Sequence, residues 1–431
     1  MRCPHTTLQL SPSPFAQLAG YERGDQKTLA AAEVKSGRPP KTLHDTSGQL
    51  FPAPLVLPHD DLNYDPDCPP QSLKSWLSMK SRNKLNTEPK RNTLYVAQIP
   101  TIEKEVGYMH DWLAPRSTSD REIVGGSEIN EVERLDVKFF ADYLKSFYLG
   151  INVEICPTPL SWVAWAKQRQ GRPSRSVKLP QYIGLAYDGR CTRIRVRPTP
   201  DHVFTAQLSL DDILDAAIDM LPEDAYAICL VIDHDMYENE EDDFCCGRAY
   251  GGSRVAVVQS ARYNPALDKN SGIDHEHMWP RSHCKAYVDK LCAVEEVKRK
   301  PPSSEQITTS KNGPMRMAID GASQSPVIPY APQDIQSLWF SRLARTITHE
   351  LGHCFGMAHC AYYACNMQGT ASMKEDVRQP PYLCPICEAK VAHAVVEELI
   401  LKKGEVRVRC GRGCTVGWRR ESKDLNSCTR N

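Results

Sequence analysis

Residues 349–367 read HELGHCFGMAHCAYYACNM, with three histidines and three cysteines inside nineteen positions. The stretch completes an amphipathic run, PQDIQSLWFSRLARTITHELGHCFG, whose apolar residues recur at helical spacing as far as Gly356. On that helix His349 and His353 stand i, i+4, so both imidazoles share one face and can reach a single Zn2+ at about 2.0–2.1 Å. Glu350 is rotated off the histidine stripe, which suits it to hold a water rather than to ligate. Gly356 lets the chain turn out of the helix, and His359 can swing back as a third ligand. Three protein ligands and one open position are the arrangement of a catalytic zinc. H-E-x-x-H alone arises by chance on many helices; the extended H-E-x-x-H-x-x-G-x-x-H rarely does.

The cysteines come next in the chain. Cys360 and Cys365 form C-x4-C, and Cys384 with Cys387 in YLCPICEAK form C-x2-C. That is the spacing of a closed four-thiolate site, so two Zn2+ ions are expected, one catalytic and one structural. Cys354, in mid-helix, falls outside this spacing and reads as a packed thiol.

The chain is long enough, at 431 residues, to bury a real core. Lysine plus arginine equals aspartate plus glutamate, 53 each, which gives no electrostatic reason to expect nucleic acid or an anionic membrane. No apolar run near the N-terminus suits a signal peptide, and no stretch of about 18 apolar residues could span a bilayer. The seventeen cysteines then read as free thiols and metal thiolates of a reducing compartment. A cytoplasmic or nuclear monomer, not secreted, is the expectation.

Residues 1–95 are proline-rich with no sustained apolar period and read as extended or disordered. Folding signals begin near residue 131, where Leu135, Phe139, Phe140, Tyr143, Leu144 and Phe147 line one face of a helix closed by Gly150. Residues 151–156 read as a strand, 191–196 as an alternating strand and 210–221 as a helix. Residues 226–232 form a continuous apolar run typical of a buried strand. FCCGRAYGGSRVAVVQSARY reads as two short strands about Gly251 and Gly252. Residues 264–332 form a polar insertion with one helix near 284–299. Residues 130–403 thus make up a catalytic domain, with a basic tail at 404–431. The alternation of helix and strand predicts an α/β (α+β) fold, a mixed, twisted sheet packed by helices.

HELGHCFGMAHCAYYACNM together with the later CPIC resembles the archaemetzincins, a branch of the metzincin-like zinc peptidases. The resemblance implies a zincin catalytic domain with a zinc-braced C-terminal subdomain. It assigns His349, His353 and His359 to the catalytic zinc and Glu350 to general-base catalysis. Cys360, Cys365, Cys384 and Cys387 would hold the structural zinc, and Met367 would form a Met-turn, with Met373 a weaker alternative. LPEDAYAICLVIDHDMY and FCCGRAYGGSRVAVVQSARY are similar to the family's core and edge strands. The implied activity is hydrolysis of peptide bonds by a zinc-bound water activated by Glu350, aminopeptidase-like and acting on short peptides. An insertion narrowing the cleft would favour such substrates.

Two other readings compete. A zinc-stabilised binding module without activity would keep the fold and lose the base, yet Glu350 is present. His275, His277 and His283 in GIDHEHMWPRSHCKAY suggest a metal-dependent nuclease, which would need a ββα unit and a basic face. Cys410, Cys414 and Cys428 in the basic tail lack a fourth partner and make a weak metal argument.

Overall fold

The computed structural model describes residues 3–41, 51–60, 69–87, 90–116, 135–165, 179–293, 307–308, 313–324, 331–400, 406–408 and 417–419. Its centre is the strand Ala225–Ile232, in which every residue is buried. Side chains of a strand alternate between faces. Ile228, Leu230 and Ile232 accordingly join one core and Ala227, Cys229 and Val231 another. A strand apolar on both faces can only sit in the middle of a layered structure, as the unbroken run AYAICLVI predicts.

Five strands form the central sheet, in the order Gly247–Tyr250, Val255–Gln259, Ala225–Ile232, Thr93–Val96, Asn152–Ile155. All neighbours are parallel except the first pair, so Gly247–Tyr250 is an antiparallel edge strand. On one face lie the helices Val137–Phe147 and Pro332–Cys354, through Phe140, Leu144, Leu343, Ile347 and Leu351. On the other lies a six-stranded sheet with the helix Leu210–Asp219, through Trp162, Ile183, Leu185, Ile194, Ile213 and Leu214. The mixed α/β class read from the sequence is the class observed.

The head of the chain departs from expectation. Thr93–Val96 is a central strand, and Leu73, Trp76 and Leu85 are buried in the main core. Ser72 caps the short helix Leu73–Ser78 by accepting from the Ser75 N–H. Trp76 Nε1 donates to Phe355 O at 2.9 Å, Arg82 lies 3.9 Å over the Trp76 ring, and Arg82 pairs with buried Glu398 at 2.5 Å. Elements of two to six residues show no period, so their order comes from contacts distant in sequence. Residues 264–332 hold two α-helices in the described part, Lys285–Ala293 and Pro314–Gln324, rather than one. Most of the basic tail lies outside the described residues, with Cys410, Cys414 and Cys428. No helix among the described residues is long and apolar enough to cross a membrane.

Candidate metal centre and cleft

The helix Pro332–Cys354 carries His349, Glu350 and His353 on its last turns. Phe355 caps it, and Gly356 at φ +75° takes the left-handed turn that a glycine adopts without strain. The chain then brings His359 back, and the ligand nitrogens of the three histidines lie within 4.8 Å of one another. His349 Nδ1 donates to Asn366 O and His353 Nδ1 to Met357 O, each at 2.7 Å. These bonds place the protons on Nδ1 and leave lone pairs on both Nε2 atoms. Those two nitrogens face each other at 3.0 Å with no proton between them, an arrangement a shared cation satisfies. Burial lowers the pKa of both, His353 to about 4, so they stay neutral and able to ligate at neutral pH. The donor set fits a zinc ion.

One loop serves several of these groups. Cys360 N–H donates to Met367 O at 2.7 Å, closing the loop that presents His359 at one end and Asn366 O to His349 at the other. Met367 packs beneath the helix: a β-carbon on Gly352 would fall 2.3 Å from its sulfur. Met373 lies on the wall of the cleft instead, 3.8 Å from Cys246 Sγ. A β-carbon on Gly369 would come within 2.8 Å of His359 Nδ1, so the glycine leaves that ring its place.

Glu350 is buried, and burial pushes its carboxyl up to about 8, with Arg248 opposing the rise and Glu238 adding to it. It opens with the three histidines into a cavity of about 670 Å3. The edge strand Gly247–Tyr250 forms one wall. Glu238, Asp242, Arg248, Tyr263, Arg345 and Asp376 also line it, and sequence reading singled out none of them. Asp376 is held by Arg345, and Glu238 by Arg248 at 3.2 Å. Among the described residues no member of 264–332 lines this cavity.

Cys360, Cys365, Cys384 and Cys387 are all buried, their sulfurs mutually within 4.8 Å. Cys360 and Cys384 Sγ are 3.6 Å apart, near the roughly 3.8 Å edge of a tetrahedron with 2.3 Å zinc–sulfur bonds. Cys365 Sγ accepts from the backbone N–H groups of Cys384 and Met367, at 3.2 and 3.5 Å. These donors suit a thiolate. Cys384 also caps the helix Pro385–His393, which places Cys387 in its first turn. Cys354 is a packed thiol, its Sγ 3.7 Å from Val255 O.

The three histidines of the nuclease reading do not converge. His275 bonds Asp268 at 2.8 Å, His277 bonds Asp274 at 2.7 Å, and His283 bonds Ala53 O at 3.2 Å. His283 is buried with a pKa lowered to about 4 by that burial, a structural role.

Imidazoles on a helix's last turns, a carboxylate between them, a methionine beneath and an edge strand alongside together form the candidate metal centre. Residues 327–393 match the family model of Peptidase family M54. Human archaemetzincin-2 is 27% identical over 260 residues, which covers 60% of this chain and 54% of that protein. The archaemetzincin of Pyrobaculum aerophilum is 45% identical over 51 residues, 12% of this chain and 33% of that one. The crystal structure of the archaemetzincin from Methanopyrus kandleri aligns at a TM-score of 0.31 and 16% identity, covering 71% of this chain and 96% of that one. The chain is thus similar to archaemetzincins, with the family match confined to residues 327–393. It spans about half the length of the human relative it matches.

Proposed function

We propose that the protein is a zinc-dependent peptidase whose catalytic ion is held by His349, His353 and His359. The observation that carries this is the pair of Nε2 atoms 3.0 Å apart, both Nδ1 positions pinned by carbonyls, with Glu350 opening into the same cavity. An ion held there supplies Lewis acidity toward water and the scissile carbonyl. Glu350 takes the proton from the attacking water and passes it to the leaving amine. A carboxyl held near 8 by burial keeps a proton readily, and the charge of a nearby cation draws it back toward the base form.

The peptide runs along Gly247–Tyr250. That strand ends its sheet and walls the cavity, so an extended substrate can pair with its free edge. Glu238 and Asp242 at this wall favour a free α-ammonium group, which supports aminopeptidase-like action on short peptides. Cys360, Cys365, Cys384 and Cys387 hold a second, structural zinc that fixes the loop delivering His359. Glu350→Ala should retain zinc and lose hydrolysis of a free-amino-terminus peptide library. Unchanged turnover in that variant rules out the assignment of the base. A wild type that binds zinc and cleaves nothing identifies a binding module instead.

A further inference from the structure

A third group of metal-binding side chains lies outside the cleft. Cys3, His5 and His277 bring a sulfur and two imidazole nitrogens within 4.8 Å of one another. Cys284 adds a second sulfur, 3.5 Å from Cys3 Sγ. The residues are 281 positions apart at the extreme, and nothing in the spacing of the sequence joins them.

The two histidines point most directly to a metal. His277 Nδ1 is bonded to the Asp274 carboxylate at 2.7 Å, so Nδ1 holds the proton and Nε2 presents a lone pair. That Nε2 is buried with no hydrogen-bond partner, and so is His5 Nδ1. Both residues are more than nine-tenths buried. A buried polar nitrogen without a partner is costly, and two of them beside two sulfurs are relieved together by a cation. A carboxylate behind the far nitrogen of an imidazole is the usual support of a metal-bound histidine. The surroundings hold the ligands in place. The His277 ring stacks on Tyr287 at 4.0 Å, Cys3 N–H donates to Glu276 Oε1 at 2.5 Å, and His5 sits at φ +45°.

We infer that Cys3, His5, His277 and Cys284 form a zinc site. Two thiols and two imidazoles are the donors of a structural tetrahedral zinc, here with His5, His277 and Cys284 buried and Cys3 half-buried. The site fastens the first residues of the chain to the 264–332 segment, beside the pairing of Leu8–Gln9 with Ile307–Thr308 and the bridge from Leu8 to Cys284. It is independent of the two centres described above: none of its ligands lines the cleft or belongs to the four-cysteine cluster.

The test is zinc content of the untagged, full-length protein, measured by mass spectrometry after gel filtration. Cys3→Ser and His277→Gln should each lower it by about one equivalent, from about three to about two. Cys384→Ser removes a different equivalent, so its loss adds to theirs in the double variant. If Cys384→Ser loses no zinc, the four-thiolate reading fails while this one stands. Equal zinc in wild type, Cys3→Ser and His277→Gln overturns the site. A second measurement needs no variant. In the wild type Cys3, which is only partly buried, should resist iodoacetamide until a chelator is added. Alkylation of Cys3 at the same rate with and without chelator overturns the proposal, as does a Cys3–Cys284 disulfide in protein kept under reductant.

Discussion

Trp76→Ala tests whether the proline-rich head is part of the folded unit. Trp76 is fully buried, its indole N–H donates to Phe355 O, and Arg82 covers its ring. A tryptophan buries about 150–250 Å2. At about 25 cal/mol per Å2 that is near 4–6 kcal/mol, and truncations of this kind cost about 3–5. Loss of the donor to Phe355 O adds about 1 kcal/mol, so about 4–6 kcal/mol is expected in all. That is a large share of the roughly 5–15 kcal/mol that holds a folded protein together. The assay is urea unfolding of the variant beside Trp165→Ala, whose side chain is 41% exposed. With a slope of about 3 kcal/mol per M, the Trp76 midpoint should fall by roughly 1.5 M and the Trp165 midpoint by little. Equal midpoints in the two variants would refute docking of the head. Phe355 ends the helix that bears His349 and His353, so the same variant should also weaken zinc retention at the cleft.

Cys384→Ser should lose one zinc equivalent and unfold at lower temperature, because structural zinc contributes folding free energy directly. Cys360 adjoins His359, so the variant's catalytic zinc affinity should fall about 10-fold or more, read by chelator competition. His283 gives a pH signature. Above pH 6.5 the folded and unfolded forms are both neutral and the residue contributes nothing. As pH falls from 6.5 toward about 4 only the unfolded form gains a proton, so stability drops, and the loss is complete below about 4. The positive charge of Arg378 opposes protonation of the ring further. The fall corresponds to about 3 kcal/mol, and His283→Gln should flatten that part of the urea stability profile. A variant profile that keeps the full slope would exclude the residue as its source. Glu238→Gln should raise KM for free-amino-terminus peptides more than it changes kcat, while N-blocked peptides are unaffected. Equal effects on both would remove Glu238 from amine recognition.

The parts legible in the sequence are those that repeat locally. Ala225–Ile232 and Pro332–Cys354 announce themselves because burial on both faces, or on one helical stripe, writes a pattern into consecutive residues. The two candidate metal clusters are legible because the histidines, and the cysteines within each pair, sit a few residues apart. The features that escaped sequence reading depend on distant contacts. Leu73, Trp76 and Leu85 give no period, yet each is buried in the main core. Glu238 and Asp242 reach the cleft only because the edge strand next to them folds against the helix. Cys3 and His5 gain meaning from His277, which sequence reading grouped with His275 and His283 instead. The mutual arrangement of those three histidines, each with its own partner, could not be read from their spacing.

Whether His349, His353 and His359 share one zinc ion decides the functional assignment. Anomalous X-ray diffraction at the zinc edge, on crystals of the full chain, answers this without recourse to activity. A strong peak is expected among the three imidazole rings beside Glu350, and a second among Cys360, Cys365, Cys384 and Cys387. A peak at the cysteines with none at the histidines, in protein purified without chelator, would contradict the shared ion.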